Sequence, residues 1–116
     1  MADPARLLVV DDNEMNRDLL SRRLRQEGHA VETAVNGREA LERIRSETFD
    51  LVLLDVMMPE MDGYQVLENL RAEQWLPRLP VIMISAVSEL DSVVRCIELG
   101  ATDYLPKPFN AVLLKA

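Results

Sequence analysis

The chain is expected to fold as a doubly wound α/β domain with a five-stranded parallel sheet, and three observations carry that expectation. Continuous apolar runs at Leu7–Val10, Leu51–Leu54 and Val81–Ile84 have the pattern of strands buried on both faces, as in parallel sheets covered by helices. The charged segments between them carry apolar residues at helical spacing. The three runs stop abruptly at polar residues, Asp11-Asp12, Asp55 and Ser85, at the strand ends where open α/β sheets bind ligands.

The elements follow in order. After the first strand, Met15, Leu19, Leu20 and Leu24 form the apolar face of a helix that Asp12 or Asn13 can cap and Gly28 ends. Ala30–Ala34 is a weaker strand that alternates as an edge strand does. Ala40, Leu41 and Ile44 mark a second helix, and Val66, Leu67 and Leu70 a third. Asn36 stands three residues before Glu39, Asp62 before Gln65 and Ser88 before Asp91, the spacing by which a cap and the third helical residue satisfy each other's backbone amides. The helix begun at Ser88 stops at Gly100, and Ala101–Leu105 is the last strand. Asn110 caps a fifth helix, with Phe109 placed to staple against Leu114. Right-handed crossovers and short connections leave few arrangements of five strands and five helices. The expected order is 2-1-3-4-5, the flavodoxin-like (βα)5 arrangement, with its switch point between strands 1 and 3. Asp11, Asp12 and Asp55 then face one another across that crevice, with Ser85 and Lys107 closing one side.

Composition narrows the class. The 116 residues, 48% apolar, suit one core, so residues 1–116 are read as a single domain. A net charge of −7, with arginines scattered among acids, argues against direct binding to nucleic acid. Cys96 is the sole cysteine, which leaves no intramolecular disulfide or thiolate zinc cluster, and its apolar neighbours describe a packed thiol. That usage fits a reducing cytoplasm. No apolar stretch approaches the roughly 18 residues of a membrane span. His29, the single histidine, follows Gly28 at the entry to an edge strand and is expected at the surface rather than in catalysis. No glycine-rich ATP loop is present, so any phosphate must come from another molecule.

Three acids, a hydroxyl and a lysine at comparable strand ends describe a magnesium-assisted phosphoryl site. Magnesium takes hard oxygen ligands, keeps several waters and shares carboxylates with phosphate; three clustered carboxylates repel one another and favour a bound cation. Asp55 is the candidate nucleophile. The Lys107 ammonium can reach a phosphoryl oxygen as a point charge, or pair with Asp55. Ser85, beside the small Ala86, can donate a hydroxyl to a phosphoryl oxygen.

The ordered set Asp11-Asp12, Asp55 with Met58-Pro59 and Asp62-Gly63, Ser85-Ala86, Tyr104 and Lys107-Pro108 resembles the receiver domain of two-component response regulators, over nearly the whole chain. The resemblance implies that a partner histidine kinase or phosphotransfer protein phosphorylates Asp55. It further implies direct binding of Mg2+ by Asp12, Asp55 and the backbone carbonyl of Met57, with Asp11 acting through water. Lys107–Pro108 would be a cis peptide bond, and Tyr104 an aromatic that turns inward when the Ser85 hydroxyl moves. The change would be relayed through the helix 4–strand 5–helix 5 face to a covalently attached or separate output domain, and a phosphorylation-dependent homodimer is compatible with it. Met57 and Val87 occupy the family's positions along the path of the attacking water. The family's last helix is longer than the two turns left here, so the natural chain is expected to continue past Ala116.

Other readings are weaker. A haloacid-dehalogenase-like phosphohydrolase carries a second aspartate two residues after its nucleophile as general acid; here that residue is Met57, which cannot move a proton. A flavin phosphate would be repelled by Asp11-Asp12-Asn13-Glu14. A receiver serving only as a docking module would not need the complete acid, hydroxyl and lysine set.

Overall fold

The structure, a computed structural model, describes residues 5–76, 78–85 and 90–106; of Ser85, Leu90, Asp91, Leu105 and Pro106 it describes the backbone alone. Five strands alternate with helices: β1 Arg6–Val10, α1 Glu14–Gln26, β2 Ala30–Ala34, α2 Gly37–Ser46, β3 Leu51–Asp55, α3 Gly63–Ala72, β4 Val81–Ser85, α4 Leu90–Glu98 and β5 Asp103–Pro106. All neighbouring strands pair in parallel, in the order β2-β1-β3-β4-β5, which is the doubly wound order read from the sequence. The fifth helix and the residues toward Ala116 lie outside the described residues.

Both sheet faces are buried because the strand residues alternate between two cores. Leu8, Val10, Val52 and Leu54 pack with Ile44, Val66, Leu67 and Leu70 of α2 and α3. Leu7, Val9 and Leu53 pack on the other face with Leu20 and Leu24 of α1. β2 is an edge strand, yet Val31 enters one core and Ala34 the other. Among the described residues, no helix is long and apolar enough to cross a membrane.

Local chemistry starts and stops the helices where the sequence indicated. The side chains of Asn13, Asn36 and Asp62 accept from the amides of Asn16, Glu39 and Gln65, and Gln65 returns the bond to the Asp62 amide. Gly28 and Gly100, just past α1 and α4, have φ of 95° and 108°, the left-handed turn that closes a helix at little cost for glycine. Ser88 lies outside the described residues.

Two sequence expectations need correction. Met15 and Leu19 do not join the buried stripe of α1; they are 79% and 61% exposed, while Leu20 and Leu24 are buried. The face of α1 that is set on the sheet is the one carrying Leu20, Ser21 and Leu24, with the Arg17 guanidinium donating to the Asp11 carbonyl at 2.9 Å beside it. The last strand starts at Asp103 rather than Ala101. The Ala101 amide instead donates to the Cys96 carbonyl and closes the end of α4. Cys96 is fully buried as expected, and burial pushes its thiol pKa up, which keeps it in the unreactive protonated form.

Candidate functional site

The acids meet because the strand register brings them together. Val10 pairs with Leu54, so the next residue on each strand path, Asp11 and Asp55, stands side by side at the C-terminal edge of the sheet. Asp11 and Asp55 are only 3% and 4% exposed, whereas Asp12 is exposed. One carboxylate oxygen from each of Asp11, Asp12 and Asp55 lies within 4.8 Å of the others. Charges buried to this extent require compensation. Part of it is local, since Asp11 Oδ1 accepts from the Asn13 amide at 2.9 Å.

Asp55 is held by backbone on both sides. The Val56 amide donates to the Ile84 carbonyl at 3.0 Å, and the Gly63 amide to the Val56 carbonyl at 2.8 Å. The second bond draws the first turn of α3 against the end of β3, and the loop between them is tight enough to hold Glu60 at φ 67°, a left-handed conformation uncommon outside glycine. Met57 lies at the start of that loop and is 62% exposed, while Met58 and Met83 are buried and Met61 is packed against the core.

The other residues singled out by sequence fall as follows. Ser85 ends β4 opposite Pro106 of β5, next to the β3 end that carries Asp55. Tyr104 pairs with Met83 in the same ladder and packs, half-buried, against the main core. Lys107, Pro108 and Val87 lie outside the described residues. His29 lies at the opposite edge of the sheet, where Nδ1 accepts from the Ala5 amide at 3.1 Å; its place is structural. Sequence reasoning missed Arg17, because its bond to the Asp11 carbonyl depends on how α1 sits on the sheet. It also missed the close approach of Gly63, for which the Asp-Gly pair at the head of α3 was the available signal.

A cavity of about 330 Å³ opens at the opposite pole, between Phe49, Trp75 and Leu79 with Arg45 at its side. Of the charges around it, Glu47 is engaged with Arg6 and Arg43 and Arg45 with Glu73, and Arg78 donates to the Gln74 carbonyl. It has none of the chemistry gathered at the acidic cleft.

The donor set in the cleft suits a small hard cation. Three carboxylate oxygens lie close together, one acid is open to solvent, and no thiolate or imidazole is among them, which fits Mg2+ better than a softer metal.

Comparison with known proteins agrees with this geometry. Residues 7–116 match the family model described as the response regulator receiver domain. The response regulator MprA of Mycolicibacterium vanbaalenii is 45% identical over 106 residues, covering 91% of this chain and 45% of that protein. The transcriptional regulatory protein CpxR homolog of Haemophilus influenzae is 47% identical over 106 residues, again 91% of this chain and 45% of the relative. Among solved structures, the chemotaxis protein CheY4 of Vibrio cholerae superposes with a TM-score of 0.90 at 35% identity, over 97% of this chain and 95% of that one. The chain spans less than half the length of the curated relatives it matches.

Proposed function

Because this chain belongs to the response-regulator receiver family of two-component signalling, we propose that it is a switch driven by phosphorylation of Asp55. The observation that carries the reading is the buried Asp55 carboxylate at the end of β3, gathered with Asp11 and Asp12. A histidine kinase or phosphotransfer protein presents a phosphohistidine. An Asp55 carboxylate oxygen attacks phosphorus in line, the P–N bond breaks, and its electron pair remains on the imidazole, which then takes up a proton. Asp12, Asp55 and the Met57 carbonyl are the residues that would hold Mg2+, with Asp11 reaching it through water. When bound, the ion neutralises charge on the transferred group. Lys107 and the Ser85 hydroxyl contact the phosphoryl oxygens, and Tyr104 responds to the movement of Ser85. The domain is a signalling module whose only chemistry is its own phosphorylation and dephosphorylation. It works in the cytoplasm, with its output in an attached or separate domain and a phosphorylation-dependent homodimer as one route to that output.

The metal is tested by thermal unfolding. At magnesium near 100 times its dissociation constant the wild type should gain about 2.7 kcal/mol by mass action. Asp12→Asn removes a ligand charge and should weaken binding at least about tenfold. Equal magnesium responses in the two proteins would remove Asp12 from the site.

Lys107→Ala should still accept phosphate, since nucleophile and metal ligands remain, but its conformational response should shrink. Amide resonances of Tyr104 and α4 report this; identical phosphorylation-induced shifts in both proteins would take Lys107 out of the switch.

Neither Met57 nor Val87 can orient water by a hydrogen bond, so the phosphorylated state should be long-lived for a receiver. Adding polar groups with Met57→Asn and Val87→Glu should speed phosphate loss by at least about tenfold. Unchanged decay in the double variant would show that these side chains do not set the lifetime.

A further inference from the structure

Outside the acidic cleft, one side chain ties α3 to α4. The hydroxyl oxygens of Tyr64 and Ser92 are 2.5 Å apart, and the Arg95 guanidinium lies over the Tyr64 ring, 4.1 Å from its centroid. Ser92 and Arg95 are three residues apart and so share one face of α4. A single aromatic side chain therefore meets both, with its hydroxyl on one and its ring face on the other.

The other end of Tyr64 is fixed just as firmly. It follows Gly63, whose amide donates to the Val56 carbonyl at 2.8 Å. Gly63 sits so close to the end of β3 that an added Cβ would lie 2.5 Å from the Asp55 carbonyl oxygen. The backbone of Tyr64 is thus held relative to Asp55, while its side chain holds α4.

That hold matters because, among the described residues, α4 has few other anchors. Among its described side chains Cys96 alone is buried, and Val94 and Ile97 are 43% and 47% exposed. A helix with so little core burial depends on each polar and aromatic contact it makes.

We propose that Tyr64 is a positioning residue that couples α4 to the Asp55 end of β3. A change at Asp55 then reaches α4 along a backbone anchor, one ring and two side chains. The clamp stands on the geometry alone; its part in signalling rests on the phosphorylation of Asp55 proposed above.

Hydrogen exchange tests the clamp. Tyr64→Leu should speed exchange of α4 amides about tenfold relative to those of α1, from the loss of one hydrogen bond and one cation–π contact. Tyr64→Phe, which is isosteric and leaves the ring on Arg95, should speed it about threefold, as should Ser92→Ala. The double variant should be no faster than either single, because both remove the same bond. Equal acceleration in α1 and α4, or additive effects of Tyr64→Phe and Ser92→Ala, would overturn the clamp.

Beryllofluoride with magnesium, as a phosphoryl analogue, tests the coupling. Wild-type amides at Asp12, Val56 and α4 should shift; in Tyr64→Leu the first two should still shift while the α4 response falls by more than half. An undiminished α4 response would overturn the coupling. A wild type that shifts nowhere would overturn the Asp55 reading and the coupling together, and the exchange comparison would still decide the clamp.

Discussion

Gly63→Ala is expected to destabilise the domain by about 3 kcal/mol, at the upper end of overpacking effects, and to lower its thermal midpoint by about 10 °C. The added Cβ would lie 2.5 Å from the Asp55 carbonyl oxygen and 2.9 Å from the Val56 Cα. Both are backbone atoms of the central strand and its exit, which cannot rotate away as a side chain does. The third neighbour, Met83 Cε at 2.8 Å, can move at small cost and does not decide the outcome. Relief requires α3 to withdraw from β3, which breaks the bond from the Gly63 amide to the Val56 carbonyl and shifts Tyr64 away from α4. Urea unfolding gives the energy, and amide resonances of Val56 and Ser92 show whether the same displacement reaches both ends. A loss below about 1 kcal/mol would mean that the α3 approach is adaptable and that Gly63 does not set it.

How far the sequence could be read follows from whether each feature is local. The central strands were legible because Leu7–Val10, Leu51–Leu54 and Val81–Ile84 are apolar without interruption, which a strand buried on both faces requires. Asn36 and Asp62 were legible because a cap and its partner are three residues apart. Met15 and Leu19 misled because helical spacing alone does not fix which edge of the apolar face meets the sheet; packing buries the Leu20, Ser21 and Leu24 face. The start of the last strand misled because Ala101 was claimed by the end of α4. At the candidate site, Asp11, Asp12 and Asp55 were legible as a group, since parallel register carries the ends of β1 and β3 to the same edge. The clamp of Tyr64 on Ser92 and Arg95 was not, because it joins residues 28 apart in the chain and no local pattern marks it.

The measurement closest to the central claim is the intact mass of the protein after incubation with an excess of a small acyl or amide phosphodonor. Asp55 is the buried nucleophile of the acidic cluster, and charge neutralisation with in-line positioning is the catalysis on offer. The wild type should therefore gain one phosphoryl group, removed by hydroxylamine as an acyl phosphate is, with magnesium present and none after chelation, and Asp55→Asn should gain none in either condition. A wild type that gains no phosphoryl group under donor excess, or an Asp55→Asn variant that still acquires one in a magnesium-dependent way, would contradict the account.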